Sequence, residues 1–191
     1  MNTSKQHLYY LCSCALMTAL LCVLAPLSVP IGPVPVSLAI LAVCLDAYIL
    51  GMKGALISVL VYLLLGAAGV PVFAGFTGGL AKLAGPTGGY LAGYLLTAAI
   101  GGRAAEINGR RLLPTAFGLA AGVLAAYFAG TLWFLHVTGS QLGYALSVCV
   151  FPFIPFDIAK IAVSVLIGAP VRSALRKAGL LEGVFEGTHK I

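Results

Sequence analysis

Charge is what this chain has least of. Only 8% of its 191 residues are charged, five of them acidic, while 61% are hydrophobic, whereas soluble domains carry charge on about a quarter of their residues. That shortage excludes an ordinary soluble domain and leaves an integral membrane protein. Catalytic signatures are missing as well. No GxxxxGK[ST] run occurs, nor HExxH, nor GxSxG, so there is no P-loop to hydrolyse ATP, no zinc-protease helix and no nucleophile elbow. The histidines, His7, His136 and His189, are scattered, and the cysteines at 12, 14, 22, 44 and 149 lack CxxC spacing. They read as small core hydrophobes, and no metal site is expected. A net charge of +6 in a soluble protein would point to nucleic acid. Here the placement of the cations is a topology signal, and no nucleic-acid partner is expected.

What remains is a series of apolar runs, several at the roughly 18 to 25 residues that cross a bilayer as helix. The expected fold class is all-α: one polytopic domain over 1–191, a bundle of six transmembrane helices. Their expected spans are 8–28, 37–50, 55–68, 90–105, 114–137 and 155–175, the second and third being short and therefore tilted or extended by loops. Lys5 before the first run imitates a signal peptide, but the run is long and shows no cleavage site, so a retained helix is expected. Pro30, Pro33 and Pro35 preclude regular helix after the first span. Between the third and fourth spans lies a glycine-rich stretch, 69–89, of a length that in compact proteins is usually functional. Lys5, Lys53, Arg103, Arg110, Arg111, Arg172, Arg176, Lys177 and Lys190 fall on one side of this plan. The positive-inside rule then puts both termini in the cytoplasm of a multi-pass cell-membrane protein. The proline patch, the glycine-rich loop and the start of the last helix meet outside.

That last helix carries the most unusual feature. In Phe151-Pro152-Phe153-Ile154-Pro155-Phe156-Asp157-Ile158-Ala159-Lys160 an acid and a base stand three residues apart within an apolar run, and with Ser164 they share one helix face. Each such charge costs about 2.5 to 3.5 kcal/mol at the bilayer centre on insertion scales, so intramembrane charges call for a functional account. Two readings stand. Asp157 follows Pro155 into a first helical turn, where the helix dipole favours a carboxylate, so it could cap the helix with Lys160 as its counter-charge. Alternatively the two clamp a ligand: an ionised Asp only accepts hydrogen bonds and Lys only donates, which suits a small polar group with N–H and C=O side by side, such as a ureide, amide or lactam. The glycine-rich loop supplies backbone N–H groups, with Phe73, Phe76 and Tyr90 as flat apolar walls, and reads as a lid. Lys82 is its only cation.

Small residues recur at every fourth position: Gly85, Gly89 and Gly93, then Gly118, Gly122, Ala126 and Gly130. In lipid such stripes let helix backbones approach closely. Ala15 and Ala19 on the first helix form another pair, read either as an internal contact or as a docking surface. Asp46 is expected to snorkel or to pair with Lys53 near the cytoplasmic end, His136 to be interfacial, and Trp133 and Tyr144 to belong to the interfacial belt.

Pro33-Val34-Pro35-Val36-Ser37-Leu38, Gly69-Val70-Pro71-Val72-Phe73-Ala74-Gly75, Gly85-Pro86-Thr87-Gly88-Gly89-Tyr90 and Asp157-Ile158-Ala159-Lys160 occur in that order across the six apolar segments. Together they resemble the BioY family, the substrate-binding S components of energy-coupling factor (ECF) biotin transporters. The resemblance covers nearly the whole chain, and the Gly-Pro-Thr-Gly-Gly-Tyr block is its most specific part. It implies a non-enzymatic subunit, without cofactor, that binds biotin from outside for uptake driven by partners, a transmembrane coupling (T) subunit and two ATPases. Carried over, Asp157 would accept a ureido N–H and Lys160 would donate to an oxygen or hold Asp157. Phe73, Gly75 and Tyr90 would close over the ring system, and Thr77 would add a polar contact. Ala15 and Ala19 would match the motif that docks the coupling subunit. One departure is Ala39, where family members often have glutamine. The competing readings are an S component for another vitamin, riboflavin or thiamine, and a small intramembrane enzyme using Asp157 and Lys160, for which no nucleophile or cofactor motif is present.

Overall fold

The computed structural model describes residues 3–30, 34–108 and 111–178, with side chains from residue 8 onward. The side chain of Lys5, together with Pro33, Arg110, His189 and Lys190, lies outside this description. The elements are α1 (Thr3–Leu24), β1 (Ser28–Val29), β2 (Val36–Ser37), α2 (Ala39–Ala67), α3 (Leu80–Ala84), α4 (Gly88–Asn108), α5 (Leu112–Thr138), α6 (Leu142–Cys149) and α7 (Ile154–Lys177). The fold is helical, as the composition requires: without water to satisfy backbone groups, a spanning chain closes its hydrogen bonds within the helix. Among the described residues three helices, α2, α5 and α7, are long and apolar enough by length and composition to cross a membrane.

α2 accounts for two expected helices. It is interrupted at Gly51, whose φ of 73° and ψ of −169° leave the helical region, and only glycine adopts such a backbone at low cost. The halves fold back on each other. Ala39 at the start and Tyr62 near the end line the same cavity, and Asp46 before the break neighbours Ser58 after it. The break is held from α4, where Glu106 Oε1 accepts from the Met52 N–H at 2.8 Å. Arg172 of α7 donates to the Ala105 carbonyl at 2.9 Å nearby, so this end of the bundle gathers the Gly51 turn and the last turns of α4 and α7.

The small-residue stripes are helix contacts. A Cβ added at Gly93 would come within 2.8 Å of the Ala126 backbone, one at Gly122 within 3.0 Å of Thr97, and one at Gly89 within 2.2 Å of the Trp133 side chain. α4 and α5 therefore touch at backbone distance, where dispersion rather than burial from water supplies the attraction. The Thr97 hydroxyl crosses the seam to the Gly122 carbonyl at 3.0 Å.

Three details depart from the sequence expectation. The proline patch closes a short antiparallel ribbon, with Ser28 opposite Ser37 and Val29 opposite Val36. Two further helices appear, α3 inside the glycine-rich loop and α6 before α7, both too short to show a clear apolar period. Asp46 neither snorkels nor pairs with Lys53. It is fully buried and, among the described residues, neither carboxylate oxygen has a hydrogen-bond partner, whereas Lys53 is exposed. The Gly51 fold-back is the reason, since it turns Asp46 inward between the two halves of α2 and α1.

Candidate functional site

Asp157 and Lys160 are both buried, although they stand in the first two turns of α7. The Asp157 carboxylate caps nothing: no side-chain cap is present on α7. Oδ1 instead accepts from Lys160 Nζ at 2.7 Å and Oδ2 from the Tyr127 hydroxyl of α5 at 2.5 Å. Of the helix-end reading, the place in the first turn and the Lys160 counter-charge are present, and a capping hydrogen bond is not. Below them the Ser164 hydroxyl donates to the Lys160 and Leu41 carbonyls at 2.8 and 3.1 Å, tying α7 to α2. A carboxylate has about four acceptor positions and an ammonium three donors, so the pair keeps both acceptor and donor capacity after these bonds are made.

That capacity faces a cavity. An inner cavity of about 40 Å³ is lined by Asp157, Lys160, Tyr127, Phe153 and Ile40. An outer cavity of about 30 Å³ lies under the glycine-rich loop, lined by Phe73, Ala74, Lys82, Thr87, Tyr62 and Ala39. Val34, Pro35, Ser37, Tyr90 and Tyr94 line both, so the two spaces adjoin at the proline ribbon and α4. The Tyr90 hydroxyl lies 3.1 Å from that of Thr131 and donates to the Cys149 carbonyl at 3.3 Å, which fixes its ring as a wall. Spaces of this size hold water, not a bicyclic ring. Admitting a ring requires a wall to move, and the glycine-rich loop over the outer cavity turns through positive φ at Gly69, Gly75, Phe76 and Gly79.

The expected site residues divide into two groups. Asp157, Lys160, Tyr90 and Phe73 come together on the adjoining cavities, Phe73 fully buried with its ring edge-on to Tyr62 at 5.5 Å. Gly75 and Thr77 shape the loop instead and are absent from the cavity walls. The Gly75 N–H donates to the Pro26 carbonyl at 3.0 Å, and Thr77 closes a turn through Oγ1 to the Ala74 carbonyl at 3.0 Å and backbone bonds to Phe73. Phe76 points outward and is exposed. Sequence reasoning missed Tyr127, Tyr94 and Ser37. Tyr127 follows Ala126, a member of the α5 small-residue stripe, and a tyrosine at that depth was the available signal. Ala39, in place of glutamine, lines the outer cavity with a methyl group.

Among the described residues no group of three or more His, Cys, Asp or Glu side chains converges. Cys14, Cys44 and Cys149 are buried as small hydrophobes, while Cys12 is exposed. Trp133, exposed like Tyr144, donates Nε1–H to the Gly85 carbonyl at 2.9 Å and so ties α5 to the loop.

The sequence matches the BioY family model over residues 1–177. The chain belongs to the BioY family. Among its relatives, the biotin transporter BioY of Thermotoga maritima is 43% identical over 154 residues, covering 80% of this chain and 89% of the relative. The biotin transporter BioY2 of Lactococcus lactis subsp. cremoris is 37% identical over 168 residues, covering 88% and 92%. A crystal structure described as the S-component for biotin from an ECF-type ABC transporter superposes with a TM-score of 0.86 at 30% identity, covering 97% of this chain and all of that one. Membership in this family makes the chain a multi-pass membrane transport subunit rather than an enzyme.

Proposed function

We propose that this chain is the biotin-binding S component of an ECF-type transporter, and that the ion pair of Asp157 and Lys160 facing the inner cavity is where the ureido ring is held. The observation that carries the reading is the residual valence of that pair: Asp157 can accept a ureido N–H while Lys160 donates to the ureido oxygen, with Tyr127 keeping the carboxylate in place. Tyr90, Tyr94 and Phe73 contribute the apolar walls for the fused rings, and the loop carrying Gly75 and Thr77 opens and closes over them. Each hydrogen bond to a charged group in such a site contributes about 1.5 to 3 kcal/mol. The names of the relatives and of the matching structure support biotin as the ligand.

The rest of the reading concerns placement. The chain is one domain of six spans in the cell membrane, formed by α1, the two halves of α2, α4, α5 and α7, with both termini cytoplasmic. The described cations Lys53, Arg103, Arg111, Arg172, Arg176 and Lys177 support that orientation, because the Gly51 turn and the ends of α4 and α7 gather at one end of the bundle. ATP hydrolysis belongs to two partner ATPases and coupling to a T subunit. Ala15 and Ala19 are exposed on α1 rather than buried against its neighbours, which favours docking over an internal contact. Calorimetry on the purified chain in detergent tests the reading: saturable binding of one biotin per chain with no ATPase activity is expected, and absence of binding overturns it. Riboflavin and thiamine, titrated in the same way, are expected not to compete.

A further inference from the structure

The outer cavity contains a cation that the Asp157–Lys160 pair does not engage. Lys82, on the short helix α3, is half-buried and lines that cavity beside Thr87, Tyr90 and Phe73. Among the described residues it has no carboxylate partner: the two ion pairs are Lys160 with Asp157 and Arg103 with Glu106. The remaining described acid, Asp46, is buried between α1 and α2, at neither cavity. The outer and inner cavities share the walls Val34, Pro35, Ser37, Tyr90 and Tyr94. An acid–base pair therefore lines one of two adjoining cavities with shared aromatic walls, and a lone ammonium lines the other.

We propose that Lys82 receives a carboxylate at the far end of the ligand, so that the site selects molecules with a polar ring, an apolar middle and an anionic tail. The inference rests on the biotin reading: biotin has its ureido ring at one end and a carboxylate on a flexible chain at the other. A lysine suits this task. Its apolar stem can lie along the aromatic wall while the ammonium follows a mobile carboxylate with three donors, where an arginine fork would demand a fixed orientation. Partial burial keeps the attraction from being fully screened by salt. The competing role is anchorage of the loop to lipid phosphates, which would leave ligand preference untouched.

Titration of the purified full chain with biotin and with its neutral primary amide, biotinamide, separates these. The wild type is expected to bind biotin about tenfold more tightly than biotinamide at low salt, with the preference shrinking as salt is raised. Lys82→Gln should abolish the preference by weakening biotin alone, and Lys82→Arg should keep most of it. Equal weakening of both ligands by Lys82→Gln, or no effect on either, overturns the inference. Should Lys82→Gln not fold, the wild-type ratio and its salt dependence decide. A wild type that binds both ligands equally overturns the role of Lys82 and leaves the biotin reading standing, whereas a wild type that binds neither overturns both.

Discussion

Asp46 and Asp157 are the same side chain, both buried in the same helical bundle, and they are kept in opposite ways. Asp157 has a cation, a phenol and a cavity. Asp46, beside Ser58, makes no hydrogen bond of good geometry among the described residues. Its polar neighbour Ser58 spends its hydroxyl on the Cys14 and Gly54 carbonyls, at 3.2 and 3.1 Å, and the nearby Tyr10 hydroxyl is also unpartnered. The lesson is that a charge-bearing residue inside a membrane segment is not by itself a ligand site. What distinguishes the two is unused valence directed at open space, and only Asp157 has it.

Substitutions can break or sharpen this contrast. The largest effect is expected for Asp157→Asn, which strands the Lys160 ammonium without its counter-charge and replaces the ionised ureido acceptor by a neutral amide. Biotin affinity should fall about 100-fold, consistent with loss of a charged hydrogen bond, and stability by about 3 kcal/mol, as when one partner of a buried pair is removed. Calorimetry and a thermal melt in detergent read the two effects separately; unchanged affinity in folded protein would remove Asp157 from the site. Asp46→Leu should do the reverse. Replacing an unsatisfied buried polar group by an apolar one should raise stability by about 2 kcal/mol and leave biotin affinity unchanged. A loss of binding there would show that Asp46 communicates with the cavity.

A smaller effect is expected for Tyr127→Phe, which deletes one hydroxyl and keeps the ring. Affinity should drop about tenfold through a less well-held carboxylate, with little change in melting temperature. If the melt collapses instead, Tyr127 serves the bundle more than the site. Ala15→Trp with Ala19→Trp should have no effect on binding, since both residues are exposed on α1, away from either cavity. Uptake by cells that also carry the partner subunits should be lost; retained uptake would separate this stripe from docking.

Much of the fold was legible because the bilayer leaves few choices. Long apolar runs must be helices, and Gly93, Gly122 and Ala126 at fourfold spacing must let backbones meet, so the α4–α5 seam could be read directly. Asp157 and Lys160 were legible for a related reason: their spacing puts them on one helix face, and lipid tolerates neither alone. Short elements were not. α3 and α6 are decided by which neighbours their one or two turns can lean on, and the ribbon between Ser28–Val29 and Val36–Ser37 by where two helix ends bring the chain together. Gly75 and Thr77 were expected at the ligand from the family resemblance alone, because loop residues carry no periodicity to show which way they face.

The sequence by itself determined that this is a helical membrane protein with an acid and a base on one face of its last helix, because hydrophobicity and helical period are local properties. Only the tertiary structure decided that Tyr127 from α5 holds Asp157, that the inner and outer cavities adjoin at the proline ribbon, and that Asp46 is buried away from both. Those outcomes depend on which helices become neighbours, and a hydrogen bond between residues 30 apart in the chain, as between Tyr127 and Asp157, exists only once packing has brought them together.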